Sequence, residues 1–205
     1  MGKKMYEKKI KRTMFDFLGM DIKINEDEVI VGNKKFDTKD IDKIKYVETQ
    51  ILAGGIINSG SYYEVFIGSS ANNNTARIFF NTAFRKKWTE EYRNIIDVLW
   101  DNVTNRIVNN MIKDLNEGRT VRVGKFEVTR NGINVLMNKK YTLIPWLECL
   151  KEYKEGCIHI YSNSDLKVKG NIEIIKEWNS NAFASLLDWL WKEGRCFNLE
   201  KGEKI

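Results

Sequence analysis

The chain has 205 residues and a formal net charge of +6, from 34 lysines and arginines against 28 aspartates and glutamates. Its content of 42% hydrophobic and 30% charged residues is that of an ordinary globular protein, which excludes collagen-like, disordered and disulfide-scaffold classes. No stretch approaches the ~18 consecutive apolar residues of a membrane-spanning helix, so an integral membrane protein is not predicted.

Most of the charge excess lies in residues 1–12, and the rest of the chain is nearly neutral, which disfavours a nucleic-acid-binding fold. The cations of this segment are Lys3, Lys4, Lys8, Lys9, Lys11 and Arg12. We interpret residues 1–19 as a basic segment that either solubilises the chain or lies on an anionic membrane surface. No uninterrupted apolar run follows it, as a secretory signal requires, so we expect a cytoplasmic protein, with peripheral membrane attachment as an alternative.

The next part of the chain consists of short apolar runs with period-two alternation, bounded by turn residues. Asp21 to Ile24 and Val29 to Val31 predict a hairpin. Further strands are predicted at Lys43 to Thr49, Tyr62 to Ile67 and Ala76 to Phe80. Residues 20–80 are therefore expected to form antiparallel β-structure.

A glycine-containing segment interrupts these strands at Gly54 and Gly55. It is not a phosphate-binding loop, because no Lys-Ser/Thr pair follows its last glycine. Four aliphatic residues flank the glycines and are the candidate partner-binding residues: Ile51, Leu52, Ile56 and Ile57. They form either the exposed tip of a hairpin that docks on a partner or a buried strand pair.

Apolar residues then recur every three or four positions from Arg85 to Glu117, which predicts one long helix or two abutting helices that meet at Thr104–Asn105. Strand patterns return after Gly118, and the Asn131–Gly132 pair predicts a hairpin turn. A second amphipathic helix is predicted from Asn181. Its apolar residues are Phe183, Leu186, Leu187, Leu190 and Trp191.

Short identities indicate an internal duplication of these elements. Asn33-Lys34-Lys35-Phe36 corresponds to Asn138-Lys139-Lys140-Tyr141, and Asn81-Thr82-Ala83-Phe84 corresponds to Ser180-Asn181-Ala182-Phe183. We therefore predict two halves of similar architecture arranged in tandem.

The second half resembles bacterial pleckstrin-homology-like (PH-like) domains. The resemblance is carried by Val123-Gly124-Lys125-Phe126 through Gly132-Ile133, by Ile144-Pro145-Trp146, and by a strand after Gly156. The first half departs from the pattern at Lys39-Asp40-Ile41, which lacks the proline-tryptophan step.

The resemblance implies an α+β fold of two antiparallel, β-rich PH-like half-barrels. Each would be closed by a C-terminal amphipathic helix, the first helix being long and linking the halves. The predicted organisation is a basic segment at 1–19, one PH-like domain with the linking helix at 20–117, a second at 118–193, and a polar tail at 194–205.

Few residues of the sequence are candidates for catalysis or metal binding. Cys149, Cys157 and Cys196 lack metal-ligand spacing and are predicted to be free thiols, and His159, the sole histidine, alternates with apolar residues on a strand. Glu152-Tyr153-Lys154 is the one formal candidate for a metal-dependent nuclease motif. We predict no catalytic residue, no metal and no cofactor.

The expected function is that of a non-enzymatic binding or scaffold module that recognises a protein partner. The inner membrane surface is one possible location of this binding. The PH-like resemblance implies binding to lipids, phosphopeptides or protein surfaces. Two alternatives are nonspecific nucleic-acid binding through the basic N-terminus, which is not favoured, and a carboxylate-metal hydrolase. The sequence does not indicate an oligomeric state.

Overall fold

A computed structural model of the chain describes residues 4–11, 18–53, 57–81 and 86–192, without the side chains of residues 50–53, 57–60, 81 and 86–88. The chain divides into two compact units, Met1–Arg106 and Ile107–Ile205.

The first unit begins with a four-stranded antiparallel sheet in the order β1-β2-β3-β4. Its strands are β1 Tyr6–Ile10, β2 Met20–Ile24, β3 Glu28–Val31 and β4 Lys34–Asp37. The predicted hairpin of β2 and β3 is confirmed, with Ile22 opposite Val31 and Ile24 opposite Val29. These four side chains are buried, because alternation directs every second residue to the core.

A second, three-stranded antiparallel sheet follows in the order β5-β6-β7. Its strands are β5 Lys43–Ala53, β6 Ile57–Ser69 and β7 Asn74–Asn81. Its buried face packs on Tyr92 of the following helix: the ring centroids of Tyr63 and Tyr92 lie 4.4 Å apart, and those of Phe80 and Tyr92 lie 6.1 Å apart. The Tyr92 hydroxyl donates to the Val47 carbonyl at 3.1 Å.

The predicted long helix consists of α1 Lys86–Leu99, a π-helical turn Trp100–Thr104 and α2 Asn105–Asn116. The junction at Thr104–Asn105 that one alternative predicted is where the π-helical turn ends and α2 begins. There the Asn105 amide bonds to the Trp100 carbonyl five residues earlier, so the wider turn keeps the backbone hydrogen-bonded. The Asn102 side chain donates to the carbonyls of Val98 and Lys4, each at 3.0 Å.

The second unit contains another four-stranded antiparallel sheet, in the order β11-β10-β9-β8, and another three-stranded sheet, in the order β12-β13-β14. The strands of the first are β8 Val121–Val123, β9 Phe126–Thr129, β10 Gly132–Met137 and β11 Lys140–Pro145. Those of the second are β12 Cys149–Lys154, β13 Cys157–Ser162 and β14 Lys169–Glu173, followed by helix α3 Ser180–Lys192.

Helix α3 supplies much of the core of this unit through the residues predicted for it, since Phe183, Leu186, Leu187 and Leu190 are all buried. The rings of Phe126 and Phe183 stack at 5.9 Å. Cys149 is buried at the start of β12, Cys157 is half-buried, and neither of these two described cysteines forms a disulfide. Among the described residues, no helix has both the length and the apolar character needed to cross a membrane.

The prediction of two PH-like half-barrels is wrong, although the mixed α+β character is confirmed. The strands form four separate antiparallel sheets, and the described part of the chain contains no closed barrel. Short 3-10 turns at Thr38–Asp40 and Trp146–Glu148 follow β4 and β11. There the backbone leaves the extended conformation, so the ladder of each four-stranded sheet ends before the next strand begins.

Candidate binding surfaces

The predicted partner-binding residues lie at the ends of two paired strands. Ile51 and Leu52 belong to β5, with an irregular register between them, and Ile57 opens β6 opposite Ala53. Their side chains, and Ile56 altogether, lie outside the description. Partner binding at these residues therefore stays a prediction.

Four of the six predicted anion-binding cations are described, and three of these face carboxylates within the first unit. The Lys4 Nζ lies 3.1 Å from Asp101, the Lys9 Nζ lies 3.8 Å from Asp21, and Lys8 pairs with Glu91. Lys11 is exposed. Lys3 and Arg12 lie outside the described residues.

The pairing of Lys8 belongs to a partly buried cluster that fixes β1 on helix α1. Glu91 is only 6% exposed and accepts a hydrogen bond from the Tyr6 hydroxyl at 2.9 Å. Burial, and then the hydrogen bond to the Glu91 carboxylate, raise the pKa of Tyr6 above its ordinary value. Because Lys8 offsets the charge of a buried carboxylate, its role here is structural.

The second unit exposes apolar side chains beside the edge strand β11. Leu136, Tyr141 and Leu143 form what we call the β11 apolar face, and they are 37%, 46% and 45% exposed. Leu136 stands directly opposite Tyr141, and Leu143 lies two residues further along the same strand. The three side chains therefore share one side of the sheet as neighbours.

Polar residues occupy the same side of this sheet away from the edge. Arg122, Glu127 and Asn134 stand in one row with Leu143 across the four strands. The Arg122 Nε donates to the Glu127 carboxylate at 2.7 Å and covers it, since Glu127 is buried. The apolar character is thus concentrated at the β11 edge.

A different surface covers the three-stranded sheet of the first unit, on the side away from the buried Tyr63, Val65, Ile67 and Phe80. Two cations and three rings alternate there and form what we call the aromatic–cation face: Lys45, Tyr62, Phe66, Arg77 and Phe79. The register places them together, because Phe66 stands between Lys45 and Arg77 on the neighbouring strands.

The members of the aromatic–cation face contact one another in a continuous line. The Lys45 Nζ lies 4.6 Å from the Phe66 ring centroid, and the Arg77 Cζ lies 5.7 Å from that centroid and 4.9 Å from that of Phe79. Tyr62 continues the line by stacking on Phe79, with centroids 5.7 Å apart and ring planes inclined by 22°. Cation–π contacts therefore hold both cations over ring faces.

Among the side chains of this sheet that the structure describes, one carboxylate belongs to this surface: Glu64 stands opposite Phe79 and forms an ion pair with Arg77. Further positive charge lies at one end of the face, where Lys43 is in the row of Thr75 and Lys34 donates to the Thr75 carbonyl. On the face itself, the described side chains include two cations, Lys45 and Arg77, and one carboxylate, Glu64.

A groove of about 610 Å³ in the second unit contains the sole histidine. Glu152, His159 and Asn171 stand in one row across β12, β13 and β14 and line this groove together with Tyr161 and Lys169. Tyr153 points to the other side of the sheet and donates to the Asp188 carboxylate at 2.8 Å. Within the described ranges, no three His, Cys, Asp or Glu side chains cluster closely enough to hold a metal ion.

Comparisons with known proteins give no match: no family model, no curated protein and no solved structure shows significant similarity to this chain.

Proposed function

We propose that the protein is a binding module that recognises a protein partner through the β11 apolar face, Leu136, Tyr141 and Leu143. The observation that carries this proposal is the clustering of these exposed side chains beside the last strand of a sheet. Scattered exposed leucines are ordinary, whereas adjacent ones at a sheet edge mark an interaction surface.

Strand β11 offers a partner more than apolar contact. It is paired with β10 alone in the described sheet, so half of its backbone groups face outward. An extended segment of the partner adds to such an edge by main-chain hydrogen bonds, and the alternate side chains of the pair then give specificity.

The surroundings of the face define the chemistry of that segment. Lys139 and Lys140, both exposed, stand at the turn where β11 begins, and Pro145 is exposed at its end. We expect the partner to present apolar side chains to Tyr141 and Leu143 and an acidic residue to the lysines. We place this binding in the cytoplasm, with an anionic membrane surface as the alternative location.

The test is site-specific photo-crosslinking in cells, followed by reconstitution. A photoreactive phenylalanine analogue replaces Tyr141 in one variant and Leu166 in the control. Leu166 is 65% exposed in the same unit and lies outside the β11 apolar face. We expect one protein adduct that forms from position 141 only.

The identified partner is then purified and titrated against the wild type, Leu143→Asp and Leu166→Asp. We expect Leu143→Asp to weaken binding about tenfold or more, because a charge is placed in the centre of the contact, and Leu166→Asp to bind within about twofold of the wild type. Circular dichroism confirms that both variants are folded. An adduct from both positions, no adduct, or unchanged binding by Leu143→Asp would contradict the proposal.

A further inference from the structure

We propose that the groove of the second unit binds a short peptide with free, charged ends, about three residues long, which lies across β12, β13 and β14. Glu152 on one side of the groove binds the ammonium group of the peptide, and Lys169 on the other side binds its carboxylate. This inference does not depend on the proposed protein-binding function, since it uses none of the residues of the β11 apolar face.

The first argument is the size and construction of the groove. Its volume of about 610 Å³ is within the range of about 300–1,000 Å³ that is typical of small-molecule sites. His159 and Tyr161 are half-buried on the central strand β13, while Ile158 and Ile160 alternate with them and are buried in the core. Because β13 is paired on both sides, the groove exists before a ligand arrives.

The second argument is the distance between the two charges. Glu152 stands opposite His159 and Asn171 stands on its other side, whereas Lys169 stands opposite Tyr161. Glu152 and Lys169 are therefore two strands apart and offset by two residues, which places their Cα atoms about 12 Å from each other. An extended tripeptide is about 10 Å long, so its two ends can reach both side chains.

The third argument is charge complementarity. In the part of the chain that the structure describes, the side chains of Glu152 and Lys169 form no ion pair and no hydrogen bond. Other charges of the same strands are paired, since Lys151 of β12 pairs with Asp188 and Glu173 of β14 pairs with Lys176. The two opposite charges at the groove thus match a ligand that carries one positive and one negative end.

The groups between the two charges can bind the middle of a peptide. The Asn171 side-chain nitrogen donates to the Cys157 sulfur at 4.0 Å, so its amide oxygen remains to accept a peptide N–H. The His159 ring and the Tyr161 hydroxyl each offer a donor and an acceptor. Leu150, which is 36% exposed, stands opposite Tyr161 and provides apolar contact. We therefore expect the middle residue of the peptide to be apolar.

The experiment is an NMR titration of the ¹⁵N-labelled full chain with two tripeptides, alanyl-phenylalanyl-alanine and alanyl-leucyl-alanine. We expect at least one of them to bind with a dissociation constant of about 0.1 mM, as a small ligand in an open groove does. The amide shifts are expected in β12, β13 and β14. Absence of binding by both tripeptides would overturn the proposal. Shifts confined to β11 would also overturn it, without contradicting the proposed protein-binding function.

Peptides with blocked ends test the two charges separately. Acetylation removes the ammonium charge and amidation removes the carboxylate charge, and we expect each to weaken binding to the wild type about fivefold. Glu152→Gln is expected to weaken binding of the free tripeptide about fivefold and to bind the acetylated one as the wild type does. Lys169→Met is expected to show the same relation with the amidated tripeptide. A purely structural role of either residue would weaken binding of free and blocked peptides alike.

The matched controls are Glu155→Gln and Lys125→Met, which remove one charge each from exposed positions of the same unit outside the groove. We expect both to bind the free tripeptide within about twofold of the wild type. Circular dichroism confirms that all variants are folded. The proposal is wrong if blocked and free tripeptides bind the wild type equally, or if the control variants lose as much affinity as Glu152→Gln and Lys169→Met.

Discussion

Two tyrosines in the first unit have their hydroxyl groups inside the protein. The Tyr46 hydroxyl lies 2.6 Å from the Thr104 hydroxyl, and the Tyr92 hydroxyl donates to the Val47 carbonyl. Burial is the main cause that raises the pKa of each tyrosine above its ordinary value of about 10, because a phenolate would be poorly solvated there.

This makes the stability of the first unit sensitive to alkaline pH. A raised pKa in the folded state means that the stabilisation is complete below about pH 10 and decreases above it, where the unfolded chain releases these protons first. We expect Tyr92→Phe to reduce the slope of the free energy of unfolding against pH, averaged between pH 10 and 11.5, by about 1 kcal/mol per pH unit, because the unfolded tyrosine is half ionised at about pH 10. Urea unfolding of the wild type and of Tyr92→Phe at a series of pH values measures this difference in slope. An unchanged slope would contradict the raised pKa of Tyr92.

The aromatic–cation face shows which part of a site is readable from the sequence. The alternation of Tyr62, Glu64 and Phe66 along β6 indicates that these residues share one side of a strand. Their partners Lys45 and Arg77 come from other strands, and only the register brings the cations to the rings. The sequence analysis therefore did not predict this surface, because alternation along one strand does not identify the neighbouring strands.

Among the elements, the β9–β10 hairpin depends on one glycine. A Cβ at Gly132 would lie 2.1 Å from the Ile144 carbonyl oxygen of β11, a distance at which the backbone itself would have to move. Gly156, in the turn between β12 and β13, has a positive φ of 72° but open space around it. Gly132 also has a positive φ, of 152°, so both positions carry backbone strain and only Gly132 adds steric overlap.

We expect Gly132→Ala to lower the free energy of unfolding by about 3 kcal/mol and Gly156→Ala by about 1 kcal/mol. Both changes add the cost of a positive φ for alanine, and only the first also adds overlap with a neighbouring strand. Urea unfolding of both variants provides the comparison. Equal losses would show that the close approach of Gly132 to β11 has no energetic consequence.

Elements with strong local patterns were predictable. The α1 region and α3 follow from three- and four-residue apolar spacing, and the hairpin turn at Asn131 and Gly132 follows from its residue types. Strand β1 was not predicted, because only Tyr6 and Ile10 are buried in it and three charged residues separate them. Its position depends on pairing with β2, a contact that no local pattern encodes.

At the scale of the whole molecule, the two units contain the same kinds of β-sheet: each has a four-stranded sheet and a three-stranded sheet. Their exposed surfaces differ in chemistry, since the first unit has the aromatic–cation face and the second has the β11 apolar face. Of the residues that form these two surfaces, only Tyr141 belongs to the short identities that indicated a duplication.

The two surfaces share no residue, so their substitutions are expected to act separately. We predict that Phe66→Leu leaves the affinity for the protein partner within about twofold of the wild type, whereas Leu143→Asp weakens it. Titrations of both variants against the purified partner measure this, and a loss of partner binding in folded Phe66→Leu would show that the surfaces are coupled.

The buried Cys149 at the start of β12 gives the second unit a chemical reporter of its own opening. The sequence contains three cysteines, so changing Cys157 and Cys196 to serine leaves this thiol alone. A disulfide reagent can then modify it only in molecules whose β12 has opened, and the modification rate under native conditions gives the free energy of that opening. A partner bound at β11 would slow the modification by stabilising the closed form, so occupancy of the unit could be followed without labelling the partner.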